Sequence, residues 1–237
     1  MREMSSRLLA LTVDAHDPAR LAGFWAGVLG RVIVPDPHGL LLPGSESQVG
    51  LRFTPSNAEK AGPNRVHVHL TSTSISGQQR MVASALLRGA AHLDVGQLPE
   101  EGHVVLADPE GNEFCVIEPA SSFLAGCGLL GELACDGTRE VGLFWAQALG
   151  WPLVWDEDQE TAIQSPHGGT KIAWGGPPVA PRNGRNRQRF DLIPTDNDLA
   201  AEVERLGALG ATRRGHGEDG AVEMADLEGN EFCLRQG

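Results

Sequence analysis

The residues best suited to chemistry are His67 and His69, with Glu113 and Cys115 further along the chain. The histidines lie two apart in the alternating stretch Arg65-Val66-His67-Val68-His69-Leu70, so they share one face of a strand. Glu113 and Cys115 share a face in the same way on Glu113-Phe114-Cys115-Val116. A carboxylate beside an imidazole orients it and tunes its proton affinity near neutral pH, which makes His67 with Glu113 the expected general-base pair. His69 and Cys115 are the expected ligand-binding neighbours.

What positions these residues is a repeat. Asp108-Pro109-Glu110-Gly111-Asn112-Glu113-Phe114-Cys115 returns as Asp226-Leu227-Glu228-Gly229-Asn230-Glu231-Phe232-Cys233, with 118 residues between the two starts. Phe24-Trp25-Ala26 and Leu29-Gly30 recur 120 residues later as Phe144-Trp145-Ala146 and Leu149-Gly150, and Asn64-Arg65 recurs 122 later as Asn186-Arg187. Three anchors in one order at nearly one offset define a tandem duplication, with domains expected at 1–120 and 127–237. Arg189, Asp191 and Glu231 then hold the places of His67, His69 and Glu113, a set suited to ion pairing and to holding a ligand by charge.

Each domain reads as one strand-helix-three-strand unit used twice. In the first, Arg7 to Ala15 is a strand; Asp17 is a good N-cap and Pro18 a good first helical residue. Leu21, Phe24, Trp25, Val28 and Leu29 follow at helical spacing until Gly30, and short strands are expected over 32–34, 39–42 and 49–54. The same order gives a strand at 65–70, a helix at 75–88, and strands near 92–95, 103–107 and 113–118. The second domain repeats it, with helices expected at 138–149 and 197–209. Trp25 and Trp145 fall on apolar helix faces and are expected in the core, whereas Trp174 is a candidate to stack a flat ligand. Asp108, Gly111 and Asn112 are turn chemistry, because Gly supplies the positive φ that an Asp-initiated turn requires.

Composition narrows the class. At 41% apolar and 21% charged residues the chain reads as soluble and globular, and it has no run of eighteen apolar residues. The segment Met1 to Ala10 lacks the pattern of a secretory leader, so a cytoplasmic protein is expected. A net charge of −12 disfavours nucleic acid and anionic membrane as partners and suits a cationic or neutral ligand. Arg182, Arg185, Arg187 and Arg189 oppose that balance locally, as a solvated loop or as an anion-binding edge. The four cysteines lack the paired spacing of a zinc site or a disulfide framework and are expected as small buried hydrophobes.

Paired strand-helix-three-strand units, a helix ending Phe-Trp and Leu-Gly, and the closing Asp-x-Glu-Gly-Asn-Glu-Phe together resemble the vicinal oxygen chelate superfamily, in particular its glyoxalase-like group. That superfamily includes glyoxalases, bleomycin-resistance-type binding proteins and extradiol dioxygenases. The resemblance implies an α+β fold of two tandem domains, each of paired βαβββ units forming a half-open β-sheet cup. It also implies a divalent ion on four ligands, one each from the first, fourth, fifth and eighth strands of a domain. In domain one those places offer Leu8, Ala10 or Thr12, then Gln48, His67 and Cys115; in domain two they offer Glu132, Arg189 and Cys233. No complete metal set results, and His67 with Cys115 leaves a possible divalent metal such as zinc in domain one.

The function expected is therefore a glyoxalase-like protein that binds a small organic molecule in a cup, without the superfamily's full metal site and with its enzymatic status open. The alternatives are a metal-dependent lyase, isomerase or dioxygenase, and a non-catalytic scaffold with degenerate sites. The two domains are able to pair within the chain, so a monomer is expected, with a homodimer as the other arrangement. Light scattering should return the mass of one chain; twice that mass would contradict the expectation.

Overall fold

The computed structural model describes residues 5–98, 100–181, 184–217 and 220–237. The first unit is β1 (Ser6–Ala15), α1 (Pro18–Leu29), β2 (Val34–Asp36), β3 (Gly39–Leu42) and β4 (Gly50–Pro55). The second is β5 (Val66–Leu70), α2 (Ile75–Leu87), β6 (Ala91–His92), β7 (Val104–Ala107) and β8 (Glu113–Val116). The third is β9 (Leu130–Cys135), α3 (Arg139–Leu149), β10 (Leu153–Glu157), β11 (Glu160–Gln164) and β12 (Lys171–Trp174). The fourth is β13 (Gln188–Pro194), α4 (Leu199–Ala208), β14 (Thr212–His216), β15 (Val222–Ala225) and β16 (Glu231–Leu234).

The ends of α1 follow from its sequence. Asp17 accepts from the Arg20 N–H and Pro18 takes the first turn, where its missing N–H costs nothing. Gly30, at φ 64, closes the helix in the left-handed conformation that glycine adopts without strain, and Gly150 does the same for α3.

The units assemble into two eight-stranded sheets, and each sheet takes one unit from each domain. Sheet A runs β14-β15-β16-β13-β1-β4-β3-β2 and joins units one and four; sheet B runs β10-β11-β12-β9-β5-β8-β7-β6 and joins units two and three. The joins are antiparallel at the sheet centres, β1 with β13 from Ser6↔Pro194 to Val13↔Gln188, and β5 with β9 from Val66↔Cys135 to Leu70↔Leu130. The two units of one domain are instead held together through their helices.

The repeated motif explains how. Trp25 on α1 donates its indole N–H to Asp108 at 3.1 Å, and Trp145 on α3 donates to Asp226 at 3.2 Å. Each Asp also accepts from the backbone and side-chain N–H groups of its turn Asn, Asn112 or Asn230, while Gly111 and Gly229 supply φ near 80. Phe114 then meets Trp25 edge-on at 5.1 Å, as Phe232 meets Trp145 at 5.1 Å. The motif glutamates cap the neighbouring helix entrances: Glu110 accepts from the His16 and Asp17 N–H groups, and Glu228 from the Thr138 N–H. One eight-residue stretch thus closes a sheet and clamps the helix of its sister unit.

Two arginines at equivalent repeat positions cross between domains onto the same glutamates. Arg187 reaches Glu110 at 2.9 Å and Arg65 reaches Glu228 at 3.5 Å. Trp145→Phe removes one hydrogen bond to a charged acceptor and leaves Asp226 a donor short. It should lower unfolding stability by about 1–2 kcal/mol in a urea titration; a change within about 0.3 kcal/mol would show that the indole N–H does not hold α3 to the turn.

Candidate functional site

On every central strand one face packs on the helices and the other is left for a site. In sheet B, Val68, Leu70, Phe114 and Leu133 belong to the core, so His67, His69, Cys115 and Glu132 project from the opposite face. The register sets four side chains in a row across four strands: Cys115 lies opposite His69, His69 opposite Glu132, and Glu132 opposite Lys171. His69 Nδ1 stands 2.7 Å from Glu132 Oε2, with side chains only 19% and 10% exposed. Burial would lower the His69 pKa, but the neighbouring Cys115 and the hydrogen-bonded Glu132 carboxylate outweigh that and raise it to about 10.

The interdomain linker covers one side of this face. Lys171 donates to the Phe123 carbonyl and its ammonium lies 4.1 Å from the Phe123 ring centroid, while Phe123 meets Trp155 edge-on. Glu113, the expected partner of His67, is taken by Lys60 at 2.5 Å and by the Asn64 N–H. His67 Nε2 is buried without a hydrogen-bond partner, and burial lowers the ring's pKa. The His–Glu pair is therefore realised two residues along the strand, at His69, with a glutamate from the other domain. Glu132 was visible in the sequence as an isolated acid in an apolar strand, but nothing there placed it opposite His69.

Sheet A carries different chemistry at its centre. Asp191, fully buried, accepts from Thr12 Oγ1 at 2.7 Å and pairs with both Arg52 and Arg235. Arg52 also pairs with Asp36 at 3.0 Å. Arg189 pairs with Asp14 at 2.8 Å, and its Nε and Nη1 are buried without a hydrogen-bond partner. Burial lowers the Arg189 pKa but the hydrogen bond it donates to Asp14, with that carboxylate's charge, more than offsets it, so the guanidinium stays charged. Beside it opens a cavity of about 260 Å³ lined by Arg185, Arg189, Arg214, Glu223, Glu231 and Cys233, with the Phe232 backbone strand beneath. Arg52 was missed as a functional residue; a charged residue between Leu51 and Phe53 in an apolar strand was the available signal.

Gln48 and Trp174 lie away from both faces. Gln48 sits in the loop before β4, where its amide donates to the Cys127 and Leu130 carbonyls and to Thr170, and accepts from the Leu130 N–H. It ties sheet A to sheet B. Trp174 is 2% exposed and belongs to the core. Of the arginine run, Arg185 pairs with Glu223, Arg187 with Glu110 and Arg189 with Asp14; Arg182 lies outside the described residues. All four cysteines are free and buried.

The donors do not suit the superfamily's divalent ion. In sheet A the central carboxylate Asp191 is already neutralised by two arginines, and an arginine neither coordinates a cation nor tolerates one nearby. In sheet B Lys171 ends the row, and Thr12 stands in the other sheet from His67 and Cys115. Among the described residues no group of three or more His, Cys, Asp and Glu is placed to hold a metal ion.

The raised His69 pKa has a consequence for stability. A histidine ordinarily near 6.5 that is held at about 10 in the folded protein contributes stability that is complete below pH 6.5 and lost as pH rises through 10. Melting temperature should therefore fall more steeply from pH 7 to pH 10 in the parent than in Glu132→Gln. Parallel curves for the two proteins would contradict the ion pair.

The comparisons with known proteins agree with this architecture. Among solved structures, glyoxalase I from Zea mays superposes with a TM-score of 0.67 at 14% identity, over 98% of this chain and 92% of that one. A putative dioxygenase from Bacillus subtilis subsp. subtilis str. 168 superposes with a TM-score of 0.59 at 14% identity, over 96% and 84%. At such identities the likeness is one of fold. A search of the curated proteins finds no match. The family model described as Glyoxalase-like domain matches residues 10–117 and again 132–235, so the chain belongs to the glyoxalase-like family and carries its domain twice.

Proposed function

We propose that this protein binds a small organic carboxylate on the open face of sheet A, without a metal ion. The observation that carries the reading is the pairing of a 260 Å³ cavity with the unpartnered Nε and Nη1 of buried Arg189. Guanidinium N–H groups that lack acceptors are costly to bury, and a carboxylate oxygen that accepts from one of them relieves part of that cost. The cavity falls just below the roughly 300–1,000 Å³ of drug-sized sites, so the ligand is small. Three arginines against two glutamates give the lining one net positive charge inside a chain of net charge −12. That local inversion outweighs the long-range preference for cations, because a ligand at contact distance responds to its nearest groups. Asp191 serves as the buried anchor that fixes Arg52 and Arg235 and leaves Arg189 to the ligand.

The reading is tested by melting curves with millimolar benzoate, succinate or inorganic phosphate. Binding at ten times the dissociation constant stabilises the native state by about 1.4 kcal/mol, a readable rise in melting temperature. Arg214→Ala, at an exposed position, should keep the fold and weaken the carboxylate effect about tenfold; Arg189→Met should abolish it. No stabilisation by either carboxylate, or stabilisation unchanged in Arg214→Ala and Arg189→Met, would contradict the reading.

A further inference from the structure

The polar face of sheet B holds an arrangement that carboxylate binding on sheet A does not use. Cys115, His69 and Glu132 stand side by side on three neighbouring strands, β8, β5 and β9, each directly opposite the next in register. His69 Nδ1 is engaged by Glu132 at 2.7 Å, which fixes the ring on β5 directly beside Cys115 of β8. Thiol, imidazole and orienting carboxylate in that order is the geometry by which a nucleophile is activated. The carboxylate comes from the other domain, so only the paired domains complete the set.

We propose that Cys115 is a nucleophilic thiol, activated by His69 and positioned by Glu132, that adds to small alkenes conjugated to a carbonyl group. The thiol S–H bond breaks as a sulfur electron pair forms the C–S bond at the alkene's β-carbon, its proton passing by way of His69. The π pair moves to the α-carbon, which takes the proton back from His69. Nothing is oxidised or reduced and no leaving group departs. Soft thiolate sulfur suits soft alkene carbon, and the charged imidazole supplies the one proton the adduct needs.

The chain contains its own control. Cys233 occupies the equivalent strand position in the repeat and is 4% exposed, against 8% for Cys115. Its neighbours are Asp191 and Arg189 in place of an imidazole, and burial with the Asp191 charge pushes its thiol up to about 11. Burial also raises Cys127 and Cys135. Cys233 lines the sheet A cavity, so a slower Cys233 would reflect its neighbours and not a lack of access.

The test is labelling of the native protein with limiting N-ethylmaleimide at pH 7, read by mass spectrometry of peptides. Cys115 should react at least tenfold faster than Cys233. His69→Asn should slow Cys115 at least tenfold, and Glu132→Gln should give an intermediate rate and raise the pH at which labelling is half-maximal. Cys115 reacting no faster than Cys233 in the parent would overturn the proposal. So would an unchanged rate and pH profile in folded Glu132→Gln, which decides the matter if His69→Asn does not fold. Because the carboxylate reading rests on Arg189 and Arg214, neither experiment's failure bears on the other.

Discussion

Both open faces depend on the antiparallel pairing of β1 with β13 and of β5 with β9. These joins are the only places where backbone from one domain hydrogen-bonds into a sheet of the other among the described strands. Each sets a register, and a register shifted by one residue would turn every side chain to the wrong face. In sheet B it places Glu132 beside His69; in sheet A it places Thr12 within reach of Asp191. Each face is thus assembled only by the pair of domains.

The joins are supported from behind by the repeated closing motif. Asp108 and Asp226 each gather a turn and an indole N–H from another unit, and Glu110 and Glu228 each take an arginine across the domain boundary. The pseudo-twofold relation of these contacts leaves the scaffold nearly equivalent in its two halves. The faces are free to differ. One row reads Cys115, His69, Glu132, Lys171, and the other side of the molecule gathers Asp191, Arg52, Arg235 and Arg189. The apolar side of the central strands is alike in the two halves, whereas the polar side carries Cys115, His69 and Glu132 in one sheet and Arg52, Arg189 and Asp191 in the other.

Much of the fold was legible because local rules decide it. Asp17-Pro18 and Gly30 fix α1 to within a residue, and Trp25 and Trp145 fall in the core as their helical spacing requires. The expected strand near 92–95 shortens to Ala91–His92, and α4 begins at Leu199 because Asn197 takes a positive φ and Asp198 caps the helix. The site was less legible. Strand parity puts His67, His69, Glu113 and Cys115 on one face, but it does not say that Lys60 claims Glu113 or that Glu132 arrives from another domain. Side-chain alternation is a local property, whereas partners across a sheet depend on which units pair.

The most direct measurement is a cross-link across the sheet A join. Arg7 and Ile193 are directly opposed in β1 and β13, a separation at which paired cysteines form a disulfide. In Arg7→Cys/Ile193→Cys, oxidation should give an intramolecular 7–193 bond in the monomeric protein, identified by peptide mass. Failure to form that bond, or its formation only between chains, would show that the two domains build their sheets separately and that neither face is assembled as described.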